Sequence, residues 1–294
     1  RRDARSEIFR IELVDAELGF PPQWNRDPKL GTVVPLLFGK TLDYRSGSEH
    51  RYTRYIWEFN RHLELVRLAQ AQALTGDARY VAGCRQLLES WFEQCPYPLG
   101  AHWNNSLEHA MRLVNWAVAW HLLGGSDGVL FRGPAGAAFR HRWLDSVFQH
   151  CHFIAGNLSL HSSANNHLYG EYMGLFIGAL TWPCWSESQG WRETGYRGLE
   201  LEATLQVAPD GVDREQAIGY HRSVATMMLL VGLFGRANGH EFSQVFWARL
   251  EAMLEYLSSM MDAGGNVPNI GDGDDAPIVR FAPGRSGDLN RSLL

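Results

Sequence analysis

Apolar positions along this chain recur at helical spacing. From residue 51 onward they fall three and four apart, and Ile56, Phe59, Leu63 and Val66 mark one face of a helix predicted over about 52–75. Thr75-Gly76 closes that helix and Asp77 is placed to cap the next. The second helix carries Cys84, Leu87, Leu88, Trp91 and Phe92, then stops at Pro96 and Pro98, whose rings cannot continue it. Further helices are predicted over about 105–123, 135–155, 166 to just before Pro183, 190–206, 213–236 and 241–262. The one beginning at Asp213 has Gln216 three residues on, a start resembling a capping box. No strand-like alternation precedes residue 264. Helices of about 15–25 residues joined by short turns pair as antiparallel hairpins. The predicted fold class is therefore all-α, an incomplete α/α toroid of antiparallel helical hairpins. Residues 1–50 read as an irregular segment packing on it, 51–263 as the toroid domain, and 264–294 as a linker or the start of a β-rich domain.

Composition narrows the function classes. The 294 residues are 45% hydrophobic, enough for a sizeable core, and carry a net charge of −5. That balance argues against a nucleic-acid partner, whose footprint is a basic stripe. A polyanionic partner would have to be met by a few clustered Arg and His residues. The 11 tryptophans suit either a core of large side chains or platforms for sugar rings. Cys84, Cys95, Cys151 and Cys184 form no C-x-x-C pair, so no metal site is expected, and Cys84 and Cys95 read as buried thiols. The longest apolar stretch, near Met227–Phe234, falls far short of the roughly 20 residues of a membrane span. The chain begins at Arg1 with no apolar leader, read as a leader removed or a chain cut.

Three segments carry more polar chemistry than a plain helical core needs. In Ser162 through Glu171 a polar loop enters an apolar helix, placing Asn166 and His167 at an N-terminus where free N–H groups and the helix dipole favour an anion. Asn165 or Asn166 serves equally as a simple cap there. In Asp213 through Arg222, Tyr220 and His221 are proton-transfer candidates at the start of an apolar helix, with Glu215 nearby. In His102 through Arg112, Trp103 is a candidate platform for sugar beside Asn104, while Glu108 and Arg112 stand four apart and suit an ion pair. Asp272, Asp274 and Asp275 lack the spacing of a calcium loop and read as a turn. His150 and His152 face different ways on a helix and make a poor metal pair.

Together these segments resemble the N-terminal helical domain of the heparinase II/III-like polysaccharide lyases. The resemblance covers roughly 20–275 and is carried by Trp57-Glu58-Phe59-Asn60-Arg61, by Gly100 through Arg112 with Trp103 and Glu108, by Asn166-His167 followed by Glu215 and Tyr220-His221, and by Ile270-Gly271-Asp272. It implies cleavage of a uronic-acid-containing polysaccharide by β-elimination, without a cofactor. Asn166 and His167 match the pair that neutralises the substrate carboxylate, and Tyr220 matches the tyrosine that protonates the departing oxygen and in some members also takes the C5 proton. Trp103, Asn104, Glu108, Arg112, Glu215 and His221 are the candidates for holding substrate, and Glu215, His221, Trp103 and Arg112 equally for supporting Tyr220. The resemblance further implies an anionic polysaccharide partner, a C-terminal β-rich domain that commonly supplies another catalytic histidine, and a periplasmic or secreted location. Two alternatives stay open: an α/α-barrel glycoside hydrolase recruiting Glu108, Glu215 and Asp213 as its carboxylates, and a non-catalytic polysaccharide-binding or assembly protein.

Overall fold

The computed structural model describes residues 19–28, 31–42, 53–272 and 277–281. Among them lie nine α-helices: α1 (Thr53–Phe59), α2 (Leu63–Thr75), α3 (Ala78–Gln94), α4 (Ser106–Leu122), α5 (Gly133–Gly156), α6 (Asn166–Thr181), α7 (Ser188–Leu205), α8 (Ile218–Ala237) and α9 (Gln244–Ser259). No strand occurs among the described residues, only isolated bridges such as Val207 with Asp213. The all-α class is borne out. Asp274 and Asp275 lie outside the described residues.

Two predicted helices start or continue differently, for local reasons. The stretch expected as one helix over 52–75 is two, because the chain turns at Asn60–His62. His62 adopts left-handed φ 60, a conformation that costs a non-glycine residue energy. The Asn60 side chain donates to the Ile56 carbonyl at 2.8 Å and to the Trp24 carbonyl at 3.1 Å, taking an acceptor at the end of α1. Its Oδ1 accepts from Trp91 Nε1 at 2.9 Å. The helix expected from Asp213 begins only at Ile218. Asp213 instead caps a turn, accepting the Glu215 N–H at 2.8 Å, and Gln216 at φ 55 blocks helical continuation until Ala217. Elsewhere the stop and start signals act as read. Gly76 at φ 68 ends α2, Asp77 accepts the Arg79 N–H at the start of α3, and Cys84 and Cys95 are buried.

The described residues divide into two compact units, those up to 153 with 279–281 and those from 154 to 278. In the first, α4 is the central helix: every residue from Ser106 to Trp120 is buried, and α2 packs against both α3 and α4. Trp91, Trp103, Trp116 and Trp143 fill its core. In the second, α6 packs on α7 and α8, and α9 touches both α7 and α8. Two glycines on α7 set the α6–α7 approach. A Cβ on Gly195 would stand 2.8 Å from the Tyr172 carbonyl oxygen, and one on Gly198 would meet the Tyr172 ring at 2.5 Å. Only hydrogen fits at either position.

Candidate active site

The N-terminus of α6 is built around a carboxylate from the same chain. Asn165 is the N-cap, its Oδ1 accepting the His167 N–H at 3.1 Å. Its Nδ2 donates to Glu215 Oε2 at 3.0 Å. The Asn166 backbone N–H donates to Glu215 Oε1 at 2.9 Å, and Asn166 Nδ2 reaches Oε1 at 2.8 Å and Oε2 at 2.9 Å. The anion expected at this helix start is thus the side chain of Glu215, in the position the helix dipole favours. The loop bringing it there is pinned as well: Gln206 Nε2 donates to the Asn165 carbonyl at 2.9 Å, and the Arg214 N–H donates to the Gln206 carbonyl at 2.9 Å. Asp213, which holds the Glu215 N–H, is buried, and burial pushes its carboxyl up to about 6.

Tyr220 lies in the first turn of α8, half-buried, with its hydroxyl at the surface donating to Asp272 Oδ2 at 3.0 Å. The aspartate arrives because the Ile218 N–H donates to the Ile270 carbonyl at 3.0 Å, and because Gly271, at φ 73, passes against Ala217 where a Cβ would come within 2.7 Å of the Ala217 Cβ. The sequence reads Asp272 as part of a turn and, in Ile270-Gly271-Asp272, as part of the family resemblance, but not as a partner of Tyr220. The glycine before it was the available signal that the backbone makes a close approach there.

His221 departs from its expected role. It is 2% exposed, its Nε2 donates to the Met253 carbonyl at 3.0 Å, and burial lowers its pKa. An imidazole spent on the α8–α9 contact is not a surface donor, so Tyr220 alone of the Tyr220-His221 pair presents a proton to solvent.

The candidates in the first unit also turn inward. Trp103 is 1% exposed, with its Nε1 donating to the Cys95 carbonyl at 3.0 Å, so its faces pack against protein rather than sugar. Asn104 is buried and donates to the Gly39 carbonyl at 2.7 Å. Glu108 does not pair with Arg112. It takes a two-pronged contact from Arg61, Nε to Oε2 at 2.8 Å and Nη2 to Oε1 at 2.7 Å, with both residues buried. Arg112 donates to His150 Nε2 at 2.9 Å and to the His102 carbonyl at 2.8 Å, and burial pulls it down to about 10. Trp103, Asn104, Glu108 and Arg112 thus lie in the interior of the unit, each held by protein partners. A cluster of His62, His102, His109 and His150 around Arg112 was not anticipated.

Glu108→Gln tests that placement. The variant places an amide N–H against a guanidinium N–H inside the core. We expect a loss of about 1.5–3 kcal/mol, the range for a hydrogen bond to a charged group, read as a lower urea midpoint with KM for polysaccharide unchanged. A raised KM at unchanged stability would return Glu108 to the binding set.

The helical hairpins place an amide and an imidazole at the start of α6 and a phenol in the first turn of α8. Residues 30–280 match the family model described as Heparinase II/III N-terminus, and the chain belongs to that family. A heparin-sulfate lyase of Pedobacter heparinus is 28% identical over 232 residues, spanning 74% of this chain and 32% of that protein. A heparin-sulfate lyase of Bacteroides stercoris is 21% identical, spanning 83% and 37%. Among solved structures, that of Heparinase III superposes with a TM-score of 0.63 at 16% identity, covering 90% of this chain and 40% of that one. The heparan sulfate lyase HepC of Pedobacter heparinus gives 0.58 at 21% identity, covering 81% and 37%. These likenesses carry the predicted helical-hairpin fold of the α/α toroid class. The chain spans about a third of the length of the curated relatives it matches.

Proposed function

We propose that this chain is the helical part of a lyase that cleaves a uronic-acid-containing polysaccharide by β-elimination. The chemistry sets the requirements. A uronate C5–H is hardly acidic while its carboxylate keeps full charge, so donors must be aimed at that carboxylate. Asn166 and His167 take this role at the start of α6, and Tyr220 protonates the leaving oxygen. A base takes the C5 proton, the C4–O4 electron pair leaves with O4, a C4=C5 double bond forms, and the Tyr220 proton passes to O4. The family resemblance gives the base role to the same tyrosine in some members, or to a histidine of a β-rich partner domain.

The observation that carries the reading is the Tyr220 hydroxyl, held at the surface as a donor to Asp272 at 3.0 Å, the protonation state a general acid needs. The hydrolase alternative fares worse. It needs two carboxylates flanking the bond, while Glu108 is buried against Arg61, Asp213 is buried, and Glu215 is engaged at α6. The names of the relatives favour heparan sulfate or heparin as substrate. Periplasmic or extracellular action fits such a polymer, and among the described residues no helix is long and apolar enough to cross a membrane.

The test is incubation of the protein, in its full natural length, with heparan sulfate, heparin and alginate. We expect an ultraviolet-absorbing unsaturated chain end from at least one of them. Saturated ends would mean hydrolysis, and binding without any cleavage would mean a non-catalytic polysaccharide protein.

A further inference from the structure

Glu215 is the most heavily bonded carboxylate at the candidate site, and the elimination chemistry above uses none of it. Its two oxygens accept from Asn165 Nδ2, from the Asn166 backbone N–H and from Asn166 Nδ2. Seen from Asn166 Nδ2, the oxygens at 2.8 and 2.9 Å lie a carboxylate's width apart, a spread well inside the roughly 120° between the two N–H bonds of a planar amide. One N–H therefore serves both as a fork, and the second N–H of the planar amide diverges from it. The carboxylate also fixes which end of the amide faces it, because Oδ1 turned toward Glu215 would set acceptor against acceptor.

We propose that Glu215 is a positioning residue that acts through Asn166: it locks the Asn166 amide by one N–H so that the other is aimed at the substrate carboxylate. The inference rests on the lyase reading. Glu215 is in turn held by its own N–H to Asp213 at 2.8 Å, and its partners are the N-cap and the first residue of α6. A group locked in this way reaches the transition state without reorganising, which is where such donors gain their effect.

Charge separates positioning from attraction. Glu215 is an anion at the same helix start that would receive an anionic substrate, so its charge opposes binding. Removing that charge should not raise KM. Removing the lock should lower kcat, since the freed amide rotates between presenting an N–H and presenting Oδ1.

The experiment compares wild type, Glu215→Gln, Glu215→Asp, Asn166→Ala and the Glu215→Gln/Asn166→Ala double variant in the full-length protein, with heparan sulfate as the probe. We expect Glu215→Gln to lose about 10–100-fold in kcat with KM unchanged or lower, a share of the 10²–10³ that one preorganised donor supplies. Glu215→Asp should recover part of the loss. In the double variant Glu215→Gln should add nothing to the Asn166→Ala defect, since residues acting as a unit are non-additive. The Asn166 side-chain amide should also show one hydrogen-bonded proton by ¹⁵N NMR, lost in Glu215→Gln. Glu215→Gln with kcat within twofold of wild type overturns the inference while the lyase reading stands. Full additivity in the double variant, or a pure stability loss, overturns it equally. A wild type that makes no unsaturated product overturns the lyase reading and takes this inference with it.

Discussion

Tyr220→Phe should lower turnover by about 10²-fold or more, the loss expected for a general acid, with little change in substrate binding. The substitution removes one oxygen. The Tyr220 ring is half-buried in the first turn of α8, and phenylalanine keeps that packing. The hydroxyl lies at the surface and donates to Asp272 at 3.0 Å. Deleting an exposed hydrogen bond of this kind costs the fold about 0.5–1.5 kcal/mol, less than the stability of an ordinary domain, so a hundredfold loss of activity would not come from unfolding. Steady-state formation of the unsaturated end, measured with the full-length protein, should show the decrease in kcat and not in KM. The same variant at full activity would remove Tyr220 from the proton path and leave the helical domain a binding role.

The fold was legible in the sequence wherever a local signal decides the structure. Gly76, Asp77 and Pro96 act within a turn of where they stand, and the end of α2 and the limits of α3 and α4 follow from such residues. The misjudged places depend on partners distant in sequence. The turn at Asn60–His62 relies on Trp24 and Trp91, 36 and 31 positions away, so the periodicity of 52–75 runs across it unmarked. The start of α8 is delayed by Asp213 bonding its own loop, a choice open to any aspartate before a helix. The site divides in the same way. Asn166 at a helix start that attracts an anion was readable, whereas Glu215 as that anion lies 49 positions on. Trp103 shows the limit from the other side. A tryptophan at a junction between loop and helix suits a sugar platform and a core anchor equally, and only its 1% exposure decides for the core. Arg112 and its histidines are spread over α4, α5 and the loops, and no periodicity gathers them.

That histidine cluster makes the fold acid-labile. His62, His102, His109 and His150 are each at most 1% exposed. Burial, helped by the Arg112 cation, holds His62, His109 and His150 well below 6.5 and His102 at about 3. Geometry gives the same answer. His62 Nδ1 accepts from Trp116 Nε1 at 2.8 Å, and His150 Nε2 accepts from Arg112 Nε at 2.9 Å. A proton added to either nitrogen would break the bond it accepts. The unfolded chain takes up protons on these rings near pH 6.5 and the folded chain does not, so stability is full above that value and falls as the pH drops below it. Each histidine contributes a slope of about 1.4 kcal/mol per pH unit, up to about 5.5 for the four together. Asp213, raised to about 6, and Glu64, also raised, oppose the trend, because the folded chain then holds protons the unfolded one has released. Two carboxyls do not cancel four imidazoles. Urea unfolding followed by tryptophan fluorescence, which reports on Trp91, Trp103 and Trp116 beside the cluster, should give a midpoint that is level above pH 7 and falls steeply from pH 6.5 to 5. His102→Gln, which keeps a donor for Asn25, should remove close to one proton's worth of that slope. A midpoint level down to pH 5 would mean that the buried imidazoles already carry their charge.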